Sequence, residues 1–101
     1  MRLQIVQLPG CPGAAVLETR LAPLLADRPD IVLTRQVVTT QADAERLGMT
    51  GSPTLLADGV DPFALAGQLP SVSCRLYLDE YGQPGPAPSS RQLRDALQGR
   101  R

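Results

Sequence analysis

Apolar and polar residues change period several times along this chain, and each change marks an element. Arg2 to Leu8 sets Leu3, Ile5 and Gln7 on one side and Gln4, Val6 and Leu8 on the other. Apolar residues on both sides predict an interior strand of a sheet covered on two faces. Gly13 to Asp27 has a helical period. Val16, Leu17, Leu21, Leu24 and Leu25 share a face, while Glu18, Arg20 and Asp27 lie mostly off it. Pro23 cannot donate to the carbonyl of Thr19, so a kink is expected, and Arg28-Pro29-Asp30 ends the helix. Ile31 to Val38 alternates again and predicts a second strand. Thr40 opens a short helix, with Asp43 as an acidic variant of the capping box. Ala44 and Leu47 are its apolar side, and Gly48 suits its end.

The second half is less regular. Pro53 precedes a short apolar run, Thr54-Leu55-Leu56-Ala57, that predicts a third strand ending at the Asp58-Gly59 turn. Ser52–Pro53 is a candidate cis peptide, although local residues alone favour trans. Val60 to Ser73 has too few apolar repeats for an element and reads as a long functional loop, with Phe63 expected to anchor it. Cys74 to Leu78 predicts a fourth strand. Cys74, Leu76 and Leu78 share one face, and Arg75 and Tyr77 share the other. Gly82 to Pro88 is a Pro/Gly-rich connection. Ser89 and Gln92 form a capping box for a last helix, whose buried stripe is Leu93, Ala96 and Leu97. Arg100-Arg101 suits the negative end of that helix as a solvated tail.

The element order is β-α-β-α-β-β-α. Strands one and two are expected to be parallel through a right-handed crossover, and the last two can pair antiparallel. This predicts a single α/β domain over residues 1–101, with a four-stranded mixed sheet flanked by helices.

Composition narrows the chemistry. Ten basic residues balance ten acidic ones across 101 residues, so no excess charge points to nucleic acid or an anionic membrane. There is no histidine, and every basic residue is arginine. That excludes Ser-His-Asp and Cys-His catalysis, imidazole metal sites and lysine Schiff bases. Cysteine is left as the main candidate for covalent work. No metal site or cofactor motif is evident. Met1 to Leu8 is too short an apolar run for a signal peptide, and no segment approaches a membrane span. Two cysteines without an export signal point to reduced thiols in the cytoplasm. Oligomeric state is open.

Cys11 stands out among the candidates. Pro12 suits a first helical turn, where its missing N–H has no partner to lose, and this puts Cys11 at or beside the N-cap. Free amides and the positive end of the helix dipole would then face its sulfur and favour the reactive thiolate. The alternative is a small residue in a tight turn. Cys74 also has two readings: an inert core cysteine, as its strand position suggests, or a resolving thiol or second soft ligand brought near Cys11 by the loop. Asp58 and Asp61 read as turn residues.

Two motifs make the chain resemble the thioredoxin-like superfamily over nearly its whole length. Cys11-Pro12-Gly13-Ala14 is similar to the glutaredoxin-type C-P-x-C motif, and Gly51-Ser52-Pro53-Thr54 to the family's cis-proline loop. The resemblance implies a thioredoxin-like fold and a cis Ser52–Pro53 bond. It implies a nucleophilic Cys11, with Pro12, Ser52, Pro53 and Thr54 lining the place where a small thiol or protein disulfide binds. Ala14 stands where the resolving cysteine would be, so Cys11 cannot complete a two-cysteine cycle within its own motif. A narrower resemblance is to small bacterial thioredoxin-like proteins labelled as related to alkylmercury lyase. It rests on Pro9-Gly10-Cys11-Pro12, Gly51-Ser52-Pro53-Thr54, Asp58-Gly59-Val60-Asp61-Pro62-Phe63 and Ser73-Cys74-Arg75-Leu76-Tyr77. That enzyme class uses two thiols and an acidic proton donor, for which Asp61 is a nominal candidate. Three functions remain open: thiol–disulfide exchange or thiol capping at Cys11, soft-metal or organomercurial binding by two thiols, and a non-catalytic interaction module.

Overall fold

A computed structural model describes residues 1–98. The Arg100-Arg101 tail lies outside the described residues. In chain order the elements are β1 (Arg2–Gln7), α1 (Pro12–Leu25), β2 (Val32–Val37), α2 (Gln41–Leu47), β3 (Thr50–Ser52) and β4 (Thr54–Ala57). They continue with β5 (Ser71–Cys74), β6 (Tyr77–Leu78), β7 (Pro84–Gly85) and α3 (Ser90–Gln98). Among the described residues no helix is long and apolar enough to cross a membrane.

The central sheet has the order β2-β1-β4. β1 runs parallel to β2, with Arg2 opposite Val32, and antiparallel to β4, with Leu3 opposite Ala57. Both faces of β1 are covered, as its double apolar pattern predicts. Leu3, Ile5, Leu55 and Ala57 pack against Leu17 and Leu21 of α1 and Leu93 and Leu97 of α3. On the opposite face Val6, Val38 and Leu56 pack against Ala44 of α2 and Met49. Each fully buried leucine of this kind contributes about 1.5–3 kcal/mol through its removal from water.

The helix ends follow local chemistry. Thr40 caps α2 by accepting a hydrogen bond from Asp43 N at 3.1 Å, and Gly48 closes it in the left-handed region at φ 78°. At the start of α3, Ser89 Oγ accepts from Gln92 N at 3.1 Å, and Ser89 N donates to Gln92 Oε1 at 2.9 Å. This is the reciprocal capping box that the sequence predicts.

The expected four-stranded sheet does not form. β4 ends in a tight turn, with Ala57 bridged to Val60, and the chain then leaves the sheet. The segment expected as one strand from Cys74 to Leu78 is divided. Cys74 ends β5, which pairs parallel with β3, while Tyr77–Leu78 forms a separate antiparallel ladder with Pro84–Gly85. The face assignment is also reversed. Cys74 is exposed, and Leu76 and Leu78 are 73% and 64% exposed, whereas Arg75 and Tyr77 are 7% and 5% exposed. The inert-core reading of Cys74 is therefore overturned. The physical reason is that the polar ends of Arg75 and Tyr77 find partners inside the fold, which makes their burial tolerable.

Candidate functional site at the Cys11 turn

The site is built where β1 ends. Leu8 N donates to Ser52 Oγ at 2.9 Å, joining the end of β1 to the loop between β3 and β4. The chain then turns, with Cys11 N donating to Leu8 O at 3.3 Å. Cys11 is the N-cap of α1, with extended φ and ψ of −65° and 117°, and Pro12 follows at the first helical position. The carbonyl of Cys11 accepts from Ala14 N at 3.2 Å and Ala15 N at 3.4 Å. Its side chain makes no capping hydrogen bond and is half-buried. Ala14, in the place of a second motif cysteine, is buried in the core.

The Ser52–Pro53 peptide is cis. The Pro53 ring lies directly on the start of α1: a Cβ added to Gly13 would be 2.9 Å from Pro53 Cδ and 2.6 Å from the carbonyl oxygen of Pro86. Ser52, Pro53 and Thr54 are all buried. Thr54 Oγ1 donates to Gly51 O at 2.6 Å and accepts from Thr50 N at 3.1 Å, which folds the loop on itself. Cys11, Pro12, Ser52, Pro53 and Thr54 are thus brought to one end of β1.

A polar cluster backs this loop. Arg75 Nη1 donates to Asp61 Oδ2 at 2.7 Å and to Thr50 Oγ1 at 3.1 Å, and Nη2 donates to Phe63 O at 2.8 Å. The guanidinium sits 4.4 Å from the centroid of the Tyr77 ring, against which Phe63 packs edge-on at 6.1 Å. The Tyr77 hydroxyl donates to the carbonyl of Pro53. Burial is the main reason its phenol pKa is pushed well above the ordinary 10.0. Arg75 pulls in the other direction, while Asp61 and Cys11 push it further up.

Asp61 is more than a turn residue. One oxygen accepts from Phe63 N at 2.8 Å, as an Asx turn requires, and the other holds Arg75. Phe63 anchors the long loop as expected, packing against the core cluster that includes Leu17, Leu55 and Leu93.

Cys74 lies beside the same loop, which sequence alternation did not anticipate. In the β3–β5 ladder it is the register partner of Ser52, and the next residue's N–H, that of Arg75, donates to Ser52 O at 3.0 Å. β5 approaches closely because Gly51, at φ 106°, has no side chain. A Cβ there would lie 2.7 Å from Cβ of Arg75.

The roles of Arg75, Tyr77 and Gly13 were missed by sequence reasoning. The one available signal was the spacing of Arg75 and Tyr77 on a common strand face. Their partners at Asp61, Thr50, Phe63 and Pro53 come from elsewhere in the chain. Among the described residues, no three or more His, Cys, Asp or Glu side chains are grouped so as to hold a metal ion. Compared with known proteins, the chain matches no family model, no curated protein and no solved structure.

Proposed function

We propose that Cys11 is the reacting thiol of a monothiol exchange centre in a thioredoxin-like fold. In this reading Cys11 attacks a disulfide sulfur, forms a mixed disulfide and releases the other half as a thiol. A small thiol, or Cys74, resolves the adduct. The observation that carries the reading is the seating of Cys11 at the N-cap of a fourteen-residue helix, with its sulfur unused as a cap and the Pro53 ring packed on the same helical turn. Amides at such a helix start favour a thiolate leaving or attacking there. The thioredoxin-like topology belongs to this proposal, with β2-β1-β4 as its core and β3–β5 in place of a fourth strand on the sheet.

The test is incubation of the reduced protein with oxidised glutathione, followed by intact mass and peptide mapping. A glutathione adduct on Cys11, lost in Cys11→Ser, supports the reading. No adduct, and no acceleration of thiol exchange over a free-thiol control, would reject it in favour of an interaction module.

The two-thiol reading is favoured by a separate observation: Cys74 is exposed and is the register partner of Ser52. Soft ions such as Hg²⁺ prefer thiolate pairs. Mercury binding that needs both cysteines would support it, and binding that survives either single serine variant would not. Under this reading Asp61 is already engaged by Arg75.

A further inference from the structure

β5 takes a place that an incoming polypeptide would need. An extended chain delivering a disulfide to Cys11 would dock by main-chain pairing with a free strand edge beside the site. The strand that runs into Pro53 is β3, and its main chain at Ser52 is already paired with β5. Ser52 is paired with Cys74, and Ser52 O accepts from Arg75 N at 3.0 Å. At the other end of the ladder Ser71 N donates to Met49 O at 2.9 Å. Pro53 has no N–H to offer, and its carbonyl holds the Tyr77 hydroxyl. The Ser52 hydroxyl oxygen is bonded to Leu8 N. A docking strand would have to displace β5 and leave the Arg75 amide without its partner.

We propose that β5 acts as a built-in occupant of the docking edge, so that the site admits small disulfides and refuses extended polypeptide ones. This rests on the reading of Cys11 as a reacting thiol and narrows its substrate class. The step is an exchange that needs no outside oxidant. The Cys11 thiolate attacks one sulfur of R–S–S–R, a Cys11–S–S–R bond forms, the original S–S bond breaks, and RS⁻ leaves with the electron pair. The proton given up by Cys11 passes to solvent and is available to RS⁻.

The proposal is tested with Cys74→Ser, in which Cys11 is the only thiol; Cys74 is exposed, so the substitution opens no cavity. Two probes carry the same thionitrobenzoate leaving group, one on cysteamine and one on the cysteine of a short extended peptide. Release of the chromophore gives each rate, which is divided by that of free N-acetylcysteine with the same probe. The expected result is a preference for the small probe of at least about tenfold, the factor set by displacing one main-chain hydrogen bond. Equal normalised rates, or a preference for the peptide, overturn the proposal and leave Cys11 as a reacting thiol. Failure of both probes, with chromophore release no different in Cys11→Ser, instead overturns the reading of Cys11 itself.

Discussion

Gly13→Ala is the smallest change that tests the seam between α1 and the cis-proline loop. The new methyl carbon would stand 2.6 Å from the Pro86 carbonyl oxygen and 2.9 Å from Pro53 Cδ, against 3.4–4 Å for ordinary contact. Neither neighbour is the end of a flexible side chain: one is backbone and the other a ring. The helix start and the loop must therefore move apart by roughly 0.5–1 Å, an overpacking that typically costs about 1–3 kcal/mol. Alanine's better helix propensity offsets up to ~1 kcal/mol of this. The net expectation is a loss of about 1–2 kcal/mol, or a fall in Tm of roughly 4–16 °C for a domain of this size. Urea unfolding followed by circular dichroism measures it as a lower midpoint at unchanged slope. Gly85→Ala is the control, because its nearest neighbour would be 3.9 Å away, and it should stay within about 0.5 kcal/mol of the parent. A Gly13→Ala protein as stable as the parent would refute the close seating of Pro53 on α1.

Other perturbations probe the polar cluster and the thiols. Arg75→Met strips the nearly buried Asp61 carboxylate of its cation and should cost about 3–5 kcal/mol, with much of the loss recovered in Arg75→Met/Asp61→Leu; additive losses in the double variant would show that the two are not coupled. Tyr77→Phe leaves the Pro53 carbonyl without its donor and should cost about 1–3 kcal/mol at neutral pH in the same urea assay. Because the folded phenol pKa is raised above 10.0, the stability tied to it is whole below pH 10 and declines as pH rises beyond that; unfolding midpoints from pH 8 to 11 should fall more steeply for the parent than for Tyr77→Phe, and parallel curves would count against the burial argument. Brief iodoacetamide treatment should label Cys11 ahead of Cys74 although Cys74 is the more exposed; the reverse order would show that accessibility alone governs both thiols.

Local chemistry made much of the fold readable in advance. Thr40, Gly48, Ser89 and Gln92 act within a few residues of themselves, so their caps could be inferred without knowing the tertiary structure. The double apolar pattern of β1 likewise carries its own explanation, because each face needs its own cover. Pro12 located Cys11 at the helix start for the same local reason. The stretch from Cys74 to Leu78 could not be read this way. Alternation indicates which residues share a face, and choosing the inner face then rests on polarity. Here Leu76 and Leu78 face outward because Arg75 and Tyr77 have better partners inside, supplied by Asp61, Phe63 and Pro53 from twelve or more positions away. The placement of Cys74 next to Ser52 has the same origin, since it depends on a parallel pairing that the irregular loop before it does not encode.

The way β5 is fastened divides the molecule into two thermodynamic tiers. Val72, Ser73 and Cys74 are exposed, so β5 is held by main-chain bonds to Met49 and Ser52 and by the Arg75 anchor rather than by apolar burial. Its release exposes little hydrocarbon, and the accompanying denaturant slope is therefore small compared with that of the core around Leu3, Ile5 and Leu17. Dilute urea leaves such an opening nearly untouched. The rim of the Cys11 site thus rests on the bonds of Arg75 to Asp61, Thr50 and Phe63 and on a few amide bonds.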